Sequence, residues 1–257
     1  MDRLKDRVAI VTGSGQGMGL AIAHTCAREG AKIVITDIND QTITAAVEEI
    51  KQEDHADAIG IKMDVTNKSQ VEKIVKQVLD TWGHIDLLVN NAGGALNTPY
   101  KLAEIEEKHW ELVMNVNLKG AFLCCQQVIP GMVRQGKGVI VNISALAGHW
   151  RASLAGVQYT AAKAGIEGLT RQLAYDFGPS GIRVNAVAPT VTMTGDRIKG
   201  LWDAKGQEEK ERIFSQIPLR RLSTLQEIGA GVVFLASDES SYITGITLDI
   251  CGGRYLR

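Results

Sequence analysis

The sequence predicts an α/β protein in which residues 1–257 form one domain: a doubly wound parallel sheet of about seven strands with helices on both faces. Three observations carry this. Short β-branched apolar runs alternate with longer stretches of helical period along most of the chain. The runs VAIVT, KIVIT, LLVN and VIVNI are apolar on both faces, as strands covered by helices on either side must be. Glycine outnumbers proline 27 to five, which suits tight turns and close backbone approaches.

The elements follow in order. Arg7–Thr12 reads as a first strand, then a glycine-rich turn and a helix to about Gly30. Lys32–Asp37 is a second strand, and Asn39 suits the cap of a helix running to about Glu53. Ala58–Met63 is a third strand, followed by a helix from about Asn67 to Trp82. Leu87–Asn91 is a fourth, and a helix through His109–Gln135 carries Pro130 as a late kink or end. Gly138–Ile143 is a fifth strand, and the helix around Val157–Phe177 stops at Gly178-Pro179. Arg183–Ala188 is a sixth; a helix at Thr224–Ala236 and a strand at Ile246–Asp249 close the chain. Residues 190–222 break the alternation, being long, charged and without a clear strand. Directly after the sixth strand, such a segment suits a substrate-binding lid better than a solvated insertion. In doubly wound sheets ligands bind at the carboxyl ends of the strands.

At 257 residues the chain is near the upper size for one core, and 45% hydrophobic with 22% charged residues excludes a disordered chain. A formal net charge of −1 gives no global reason to bind nucleic acid or an anionic membrane surface. No apolar run approaches the roughly 18–20 residues that span a bilayer. The start MDRLKDRVAIVTG passes from charge straight into a strand-like run, without the apolar segment of a signal peptide. Cys26, Cys124, Cys125 and Cys251 show no CxxC or metal-finger spacing. The expectation is a cytoplasmic protein with free thiols, no metal, no nucleic acid and no membrane, acting on a small molecule.

Gly13-Ser14-Gly15-Gln16-Gly17-Met18-Gly19 lies at the first strand-to-helix turn, where glycines let the backbone approach a pyrophosphate at a helix N-terminus. No GK[ST] follows, so this is not a nucleoside-triphosphate loop. Asp37 ends the second strand, where a carboxylate accepts the adenosine ribose hydroxyls and repels a 2′-phosphate. Ile38, Asn39 and Asp40 follow with no cation to neutralise that phosphate, so NAD is favoured over NADP. Tyr159 and Lys163 stand at i and i+4 on one helical face. An adjacent cation stabilises a phenolate, which makes a tyrosine with an ordinary pKa of about 10 usable as an acid/base near neutrality.

Together these motifs resemble the short-chain dehydrogenase/reductase family over essentially the whole chain, which implies a Rossmann fold. Thr12, Gly13, Gly17 and Gly19 match its TGxxxGxG turn, Asp64-Val65 its adenine contact, and Asn90-Asn91-Ala92-Gly93 its NNAG segment. Asn117 falls at its active-site asparagine, Tyr159 and Lys163 at its YxxxK pair, and Asn185–Pro189, running off the end of the sixth strand, completes the register. The resemblance implies that Gly13, Ser14, Gln16, Gly17, Met18, Gly19, Asp37, Ile38, Asp64, Val65, Asn91, Ala92, Gly93, Pro189, Thr192 and Thr194 bind the cofactor, with Tyr159 and Lys163 reaching its nicotinamide end. It also implies metal-free hydride transfer between nicotinamide and a carbinol carbon. Tyr159 would exchange the hydroxyl proton, Lys163 would bind the ribose, and Asn117 would hold a water leading to solvent. A homotetramer is expected on the same ground.

The pattern breaks at the serine that orients the substrate oxygen in relatives. In Val141-Asn142-Ile143-Ser144-Ala145-Leu146-Ala147-Gly148, counting back from Gly148 puts that position on Ala145; counting back from Tyr159 puts it on Leu146. Strand neighbours face opposite sides, so Ser144 and Ala145 are not interchangeable. Three explanations stay open: a bulge carries Ser144 to the site, His149 or Gln158 replaces it, or the hydroxyl is absent. Thr190, where relatives often have glycine, and Cys251, where they have aspartate, are smaller departures; the resemblance ties Cys251 to assembly. For the substrate, Ala145, His149, Arg151 and Arg197 are the candidates. Either arginine could pair with a carboxylate, sulfonate or phosphate, and solvated surface charge is an equal alternative. The reading is an NAD-dependent dehydrogenase or reductase of a secondary alcohol or ketone, a small polar compound that is anionic if those arginines pair. The alternatives are a 3-oxoacyl-(acyl carrier protein)-type reductase and a catalytically impaired nucleotide-binding protein.

Overall fold

The computed structural model describes residues 2–152 and 154–256, leaving aside the side chains of Asp196, Arg197 and Leu201. Seven strands form one all-parallel sheet in the order β3-β2-β1-β4-β5-β6-β7. They are β1 Val8–Thr12, β2 Lys32–Asp37, β3 Ala58–Lys62, β4 Leu87–Asn90, β5 Gly138–Ile143, β6 Ile182–Pro189 and β7 Thr247–Ile250. The helices are α1 Gly17–Arg28, α2 Asp40–Glu53, α3 Lys68–Trp82, α4 Glu107–Met114, α5 Gly120–Gln135, α6 Val157–Phe177, α7 Asp196–Asp203, α8 Gln207–Ser215 and α9 Leu225–Ala236.

Period-two alternation divides the core between the two faces of the sheet. Ala9, Val11, Ile33, Ile35, Leu87, Val89, Val141 and Val187 pack against α1, α2 and α9. Val8, Ile10, Val34, Leu88, Ile140, Ile182 and Val184 face α3, α5 and the C-terminal half of α6. The strand order reverses between β1 and β4, which opens the crevice at their carboxyl ends. Asn90 and Asn142 are register partners on β4 and β5, and Asn90 Nδ2 donates to Asn142 Oδ1 at 2.8 Å.

The helix caps follow the sequence reading. Asn39 Oδ1 accepts from Gln41 N at 2.9 Å, and Asn67 caps α3 in the same way. His24 ties α1 to α2 through Asp54 and Glu49, at 2.5 and 3.0 Å. All four cysteines are buried free thiols, and burial pushes Cys26 and Cys125 up to about 12.

The structure bears on three expectations. Of the two alternatives at Pro130, a kink or an end, the end is excluded: α5 continues to Gln135 and stops at Gly136, whose φ is +67°. The stretch Glu107–Gln135 is, by length and composition, apolar enough to cross a bilayer, contrary to the reading that no such run exists. Half of its most apolar window is buried within the fold, as in a core helix. It is also broken in the middle by a π turn at Asn115–Lys119. Residues 190–222, read as a lid segment without a clear strand, hold α7 and α8, and Thr192 bridges to Ser223.

Candidate active site

The β1–α1 turn is shaped as a cradle. Gly13 and Gly17 both have φ +61°; a Cβ would lie 2.8 Å from Ala92 Cα at Gly13 and 2.7 Å from the Thr194 carbonyl oxygen at Gly17. Thr12 Oγ1 accepts from the backbone N–H groups of Asn91 and Ala92, each at 3.0 Å. Asn91 Nδ2 donates to the carbonyls of Thr12 and Gly13, each at 2.9 Å, so the turn and the loop after β4 are one piece. Gly15 N donates to Asp37 Oδ2 at 3.1 Å and Ile38 N to Asp37 Oδ1 at 2.8 Å, which orients the carboxylate at the end of β2. Ser14 departs from its expected place. Its buried hydroxyl donates to the Val11 carbonyl at 2.7 Å and accepts from Thr36 N at 3.1 Å, stitching β1 to β2 instead of facing the cavity.

The reacting end is built on α6. Tyr159 and Lys163 are one turn apart, with Lys163 Nζ 5.7 Å from the phenol ring centroid. Lys163 is 4% exposed, and its Nζ donates to the Ile143 carbonyl at the end of β5 at 2.7 Å. Burial pushes its pKa down to about 8, because desolvation penalises the ammonium. Asn117 sits within the π turn. Its Oδ1 accepts from Gly94 N at 2.9 Å, and its Nδ2 donates to the carbonyls of Gly94 and Val113 at 3.0 and 2.9 Å. Both amide protons are engaged, so the side chain clamps the loop after β4.

The serine question has a geometric answer. Ser144 is 1% exposed, with its hydroxyl 3.0 Å from Glu167 Oε1 and 3.2 Å from the Lys163 carbonyl oxygen. Its one proton therefore serves a network beneath the site, and no bulge turns it outward. His149 joins the same network. Its Nδ1 lies 2.8 Å from Glu167 Oε1 and its Nε2 3.0 Å from Asp249 Oδ1, on β7. Gln158 is wholly buried and donates to Thr98 Oγ1 and the Pro99 carbonyl, both at 2.9 Å. Neither proposed substitute is turned to the cavity, whereas Ala145 lines it with a methyl group.

One cavity of about 1550 Å³ collects most of the sequence-predicted residues. Its walls include Gly13, Gln16, Gly17, Met18, Gly19, Asp37, Ile38, Asp64, Val65, Asn91, Ala92, Gly93, Tyr159, Lys163, Pro189, Thr192 and Thr194, with Ser144, Ala145 and Arg151 at the substrate end. Among the described residues, Ser14, Asn117 and His149 are not in its lining. Arg197 lies in α7, but its side chain is outside the described residues. Sequence reasoning missed Arg254, which lines the cavity, and Glu167. Glu167 had a signal, standing at i+4 from Lys163 and i+8 from Tyr159 on one helical face.

A family model described as enoyl-(acyl carrier protein) reductase matches residues 13–254. The chain is 40% identical over 253 residues to the (2S)-[(R)-hydroxy(phenyl)methyl]succinyl-CoA dehydrogenase subunit BbsD of Thauera aromatica, covering 98% of each chain. It is 36% identical to the 3-oxoacyl-[acyl-carrier-protein] reductase FabG of Thermotoga maritima, again covering 98% of each. The crystal structure of gox2181 superposes with a TM-score of 0.91 at 35% identity, over 98% of this chain and 96% of that one.

A buried amine whose folded pKa is about 8, against an ordinary value of 10.5, binds fewer protons folded than unfolded between those values. Wild-type stability relative to Lys163→Met should therefore rise by roughly 1 kcal/mol per pH unit through that window and level off above it. Denaturant midpoints of the cofactor-free proteins at pH 7, 8, 9 and 10 measure this, and a pH-independent difference would contradict it.

Proposed function

The chain belongs to the short-chain dehydrogenase/reductase family and is an oxidoreductase of that type, and on that premise we propose that it uses NAD to interconvert a secondary alcohol and a ketone. The observation that carries the cofactor choice is Asp37. Its carboxylate is oriented by Gly15 N and Ile38 N at the adenine-ribose end of the cradle. A 2′-phosphate there would meet a like charge. The turn itself fits a dinucleotide, since Gly13 and Gly17 occupy points where a Cβ would strike Ala92 and Thr194.

Bound nicotinamide supplies the hydride acceptor in oxidation and the donor in reduction. The chain's own part is positioning and proton transfer. Tyr159 Oη takes the hydroxyl proton of an alcohol, or returns it to the oxygen of a ketone. Lys163, anchored on the Ile143 carbonyl, places its charge beside the phenol and favours its ionised form. Asn117 fixes Gly93 and Gly94 along the cofactor wall, and Ala145 leaves the substrate oxygen without a serine donor from β5. A homotetramer in the cytoplasm belongs to the same proposal. Association, though not its order or place, is supported by Trp110, Phe122 and Val133, large apolar side chains exposed on α4 and α5.

A second reading is reduction of a 3-oxoacyl thioester, favoured by the two relatives, one a (2S)-[(R)-hydroxy(phenyl)methyl]succinyl-CoA dehydrogenase subunit and the other a 3-oxoacyl-[acyl-carrier-protein] reductase. A panel of secondary alcohols, hydroxy acids, polyols, hydroxy sulfonates and one 3-oxoacyl thioester, assayed at the reduced-nicotinamide band, separates the two. The expected result is NAD-linked turnover that falls by about 10²–10⁴ in Tyr159→Phe. In Asp37→Ala the preference for NAD over NADP should narrow by about tenfold or more. Turnover confined to the thioester would favour the second reading, and turnover unaffected by Tyr159→Phe would defeat both.

Losing one donor to a developing oxyanion commonly costs about 10²–10³ in rate. Ala145→Ser is therefore expected to raise kcat by about tenfold or more on the best substrate of the panel. An unchanged kcat would mean that another group already orients the substrate oxygen.

A further inference from the structure

The C-terminal segment folds back over the substrate end of the cleft. Gly252 and Gly253 turn the chain with φ of +62° and +82°, packing against Ile217 and Pro218. Arg254 then reaches inward: its guanidinium lies 3.4 Å from Thr190 Oγ1 and 3.1 Å from Gln216 Oε1. Thr190, which departs from the family's usual glycine, thus has a use for its hydroxyl. Arg151 lies against the same aromatic side chain as Arg254. The Arg151 and Arg254 guanidinium carbons stand 4.9 and 5.6 Å from the centroid of the same Trp150 ring.

Beside these residues a side pocket of about 290 Å³ adjoins the main cavity and shares Arg151, Leu154, Val191 and Arg254 with it. Among its described lining residues, four cationic side chains (Arg151, Lys205, Arg212 and Arg254) face one carboxylate, Glu209, which Lys205 pairs at 2.6 Å. Trp202 supplies an apolar wall. Like charges are held near one another: burial and the charge of Arg151 both lower the Arg254 pKa from its ordinary value. An anion between the guanidinium groups would relieve that repulsion and accept charge-assisted hydrogen bonds.

We propose that this pocket is an oxyanion subsite, in which Arg151 and Arg254 bind a carboxylate, sulfonate or phosphate carried by the substrate at a distance from its reacting carbinol. This rests on the oxidoreductase reading above and adds to it the class of substrate. Arg151 and Arg254 together are the specificity-determining groups, because both stand at the junction of the two cavities.

The test is binding without turnover. The NAD-saturated protein is titrated at constant ionic strength with sodium butyrate, propanesulfonate and propyl phosphate, followed by tryptophan fluorescence, since Trp150 and Trp202 border the site. Butanamide is the neutral control, and inorganic sulfate distinguishes a free anion from a substrate's end group. At least one organic anion should bind saturably and compete with the hydroxy substrate but not with NAD. Arg254→Gln and Arg151→Gln should each weaken it by about tenfold or more. Should Arg254→Gln fail to fold, Arg212→Ala, exposed on α8, should weaken it about threefold, while Arg171→Ala leaves it unchanged. No saturable binding, binding indifferent to all three pocket variants, or sulfate that binds equally well without displacing the hydroxy substrate would overturn the subsite. NAD binding and turnover of neutral alcohols, measured on the same samples, distinguish this failure from that of the underlying reading: intact turnover with no anion binding removes the pocket alone.

Discussion

An ammonium buried to 4% exposure costs free energy unless the fold supplies a partner and a use for its charge, and Lys163 receives both from the end of β5. The Ile143 carbonyl holds its Nζ at 2.7 Å, at the strand terminus that borders the cleft. Together with the bond from Asn142 Nδ2 to Thr170 Oγ1 at 2.9 Å, this contact couples α6 to β5 and sets Tyr159, one turn earlier, in the cavity wall. The surrounding polar groups serve the same alignment. Ser144 and Glu167 fasten the next turn of α6, His149 carries the link to Asp249 on β7, and Asn117 clamps the loop after β4 from the opposite wall.

The fold was largely legible in the sequence because its signals are local. Apolar runs mark buried parallel strands, Asn39 and Asn67 cap helices, and glycines stand where φ is positive. What the sequence left open were features decided by packing. Pro130 stays helical within α5, and the charged stretch 190–222 hides two helices with no strand-like signature. The π turn at Asn115–Lys119 has no residue pattern of its own. It shows only in how Asn117 is carried inward to reach Gly94.

At the site, identity was legible and orientation was not. The turn glycines, Asp37, Tyr159 and Lys163 lie along the cavity wall as their motifs imply. Ser14 and Ser144 have the right residue type for binding, but their hydroxyls are engaged within the fold, with the Val11 carbonyl on β1 and Glu167 on α6. Arg254 carried no motif at all. The glycine pair before it was the available hint, since two consecutive positive-φ residues reverse the chain toward the cleft. The departures at Thr190 and Cys251 then group around this tail, through the Arg254 contact to Thr190 and the Cys251 contact to the Tyr255 carbonyl.

The account depends on Lys163 acting through Tyr159, and the pH dependence of alcohol oxidation tests that dependence most directly. With NAD saturating, the rising limb of kcat/KM in the wild type should lie below pH 9. In Lys163→Met it should move toward the ordinary phenol value of about 10, with a lower plateau. A limb at the same pH in both proteins would contradict the account, because the buried ammonium would then have no part in the proton transfer.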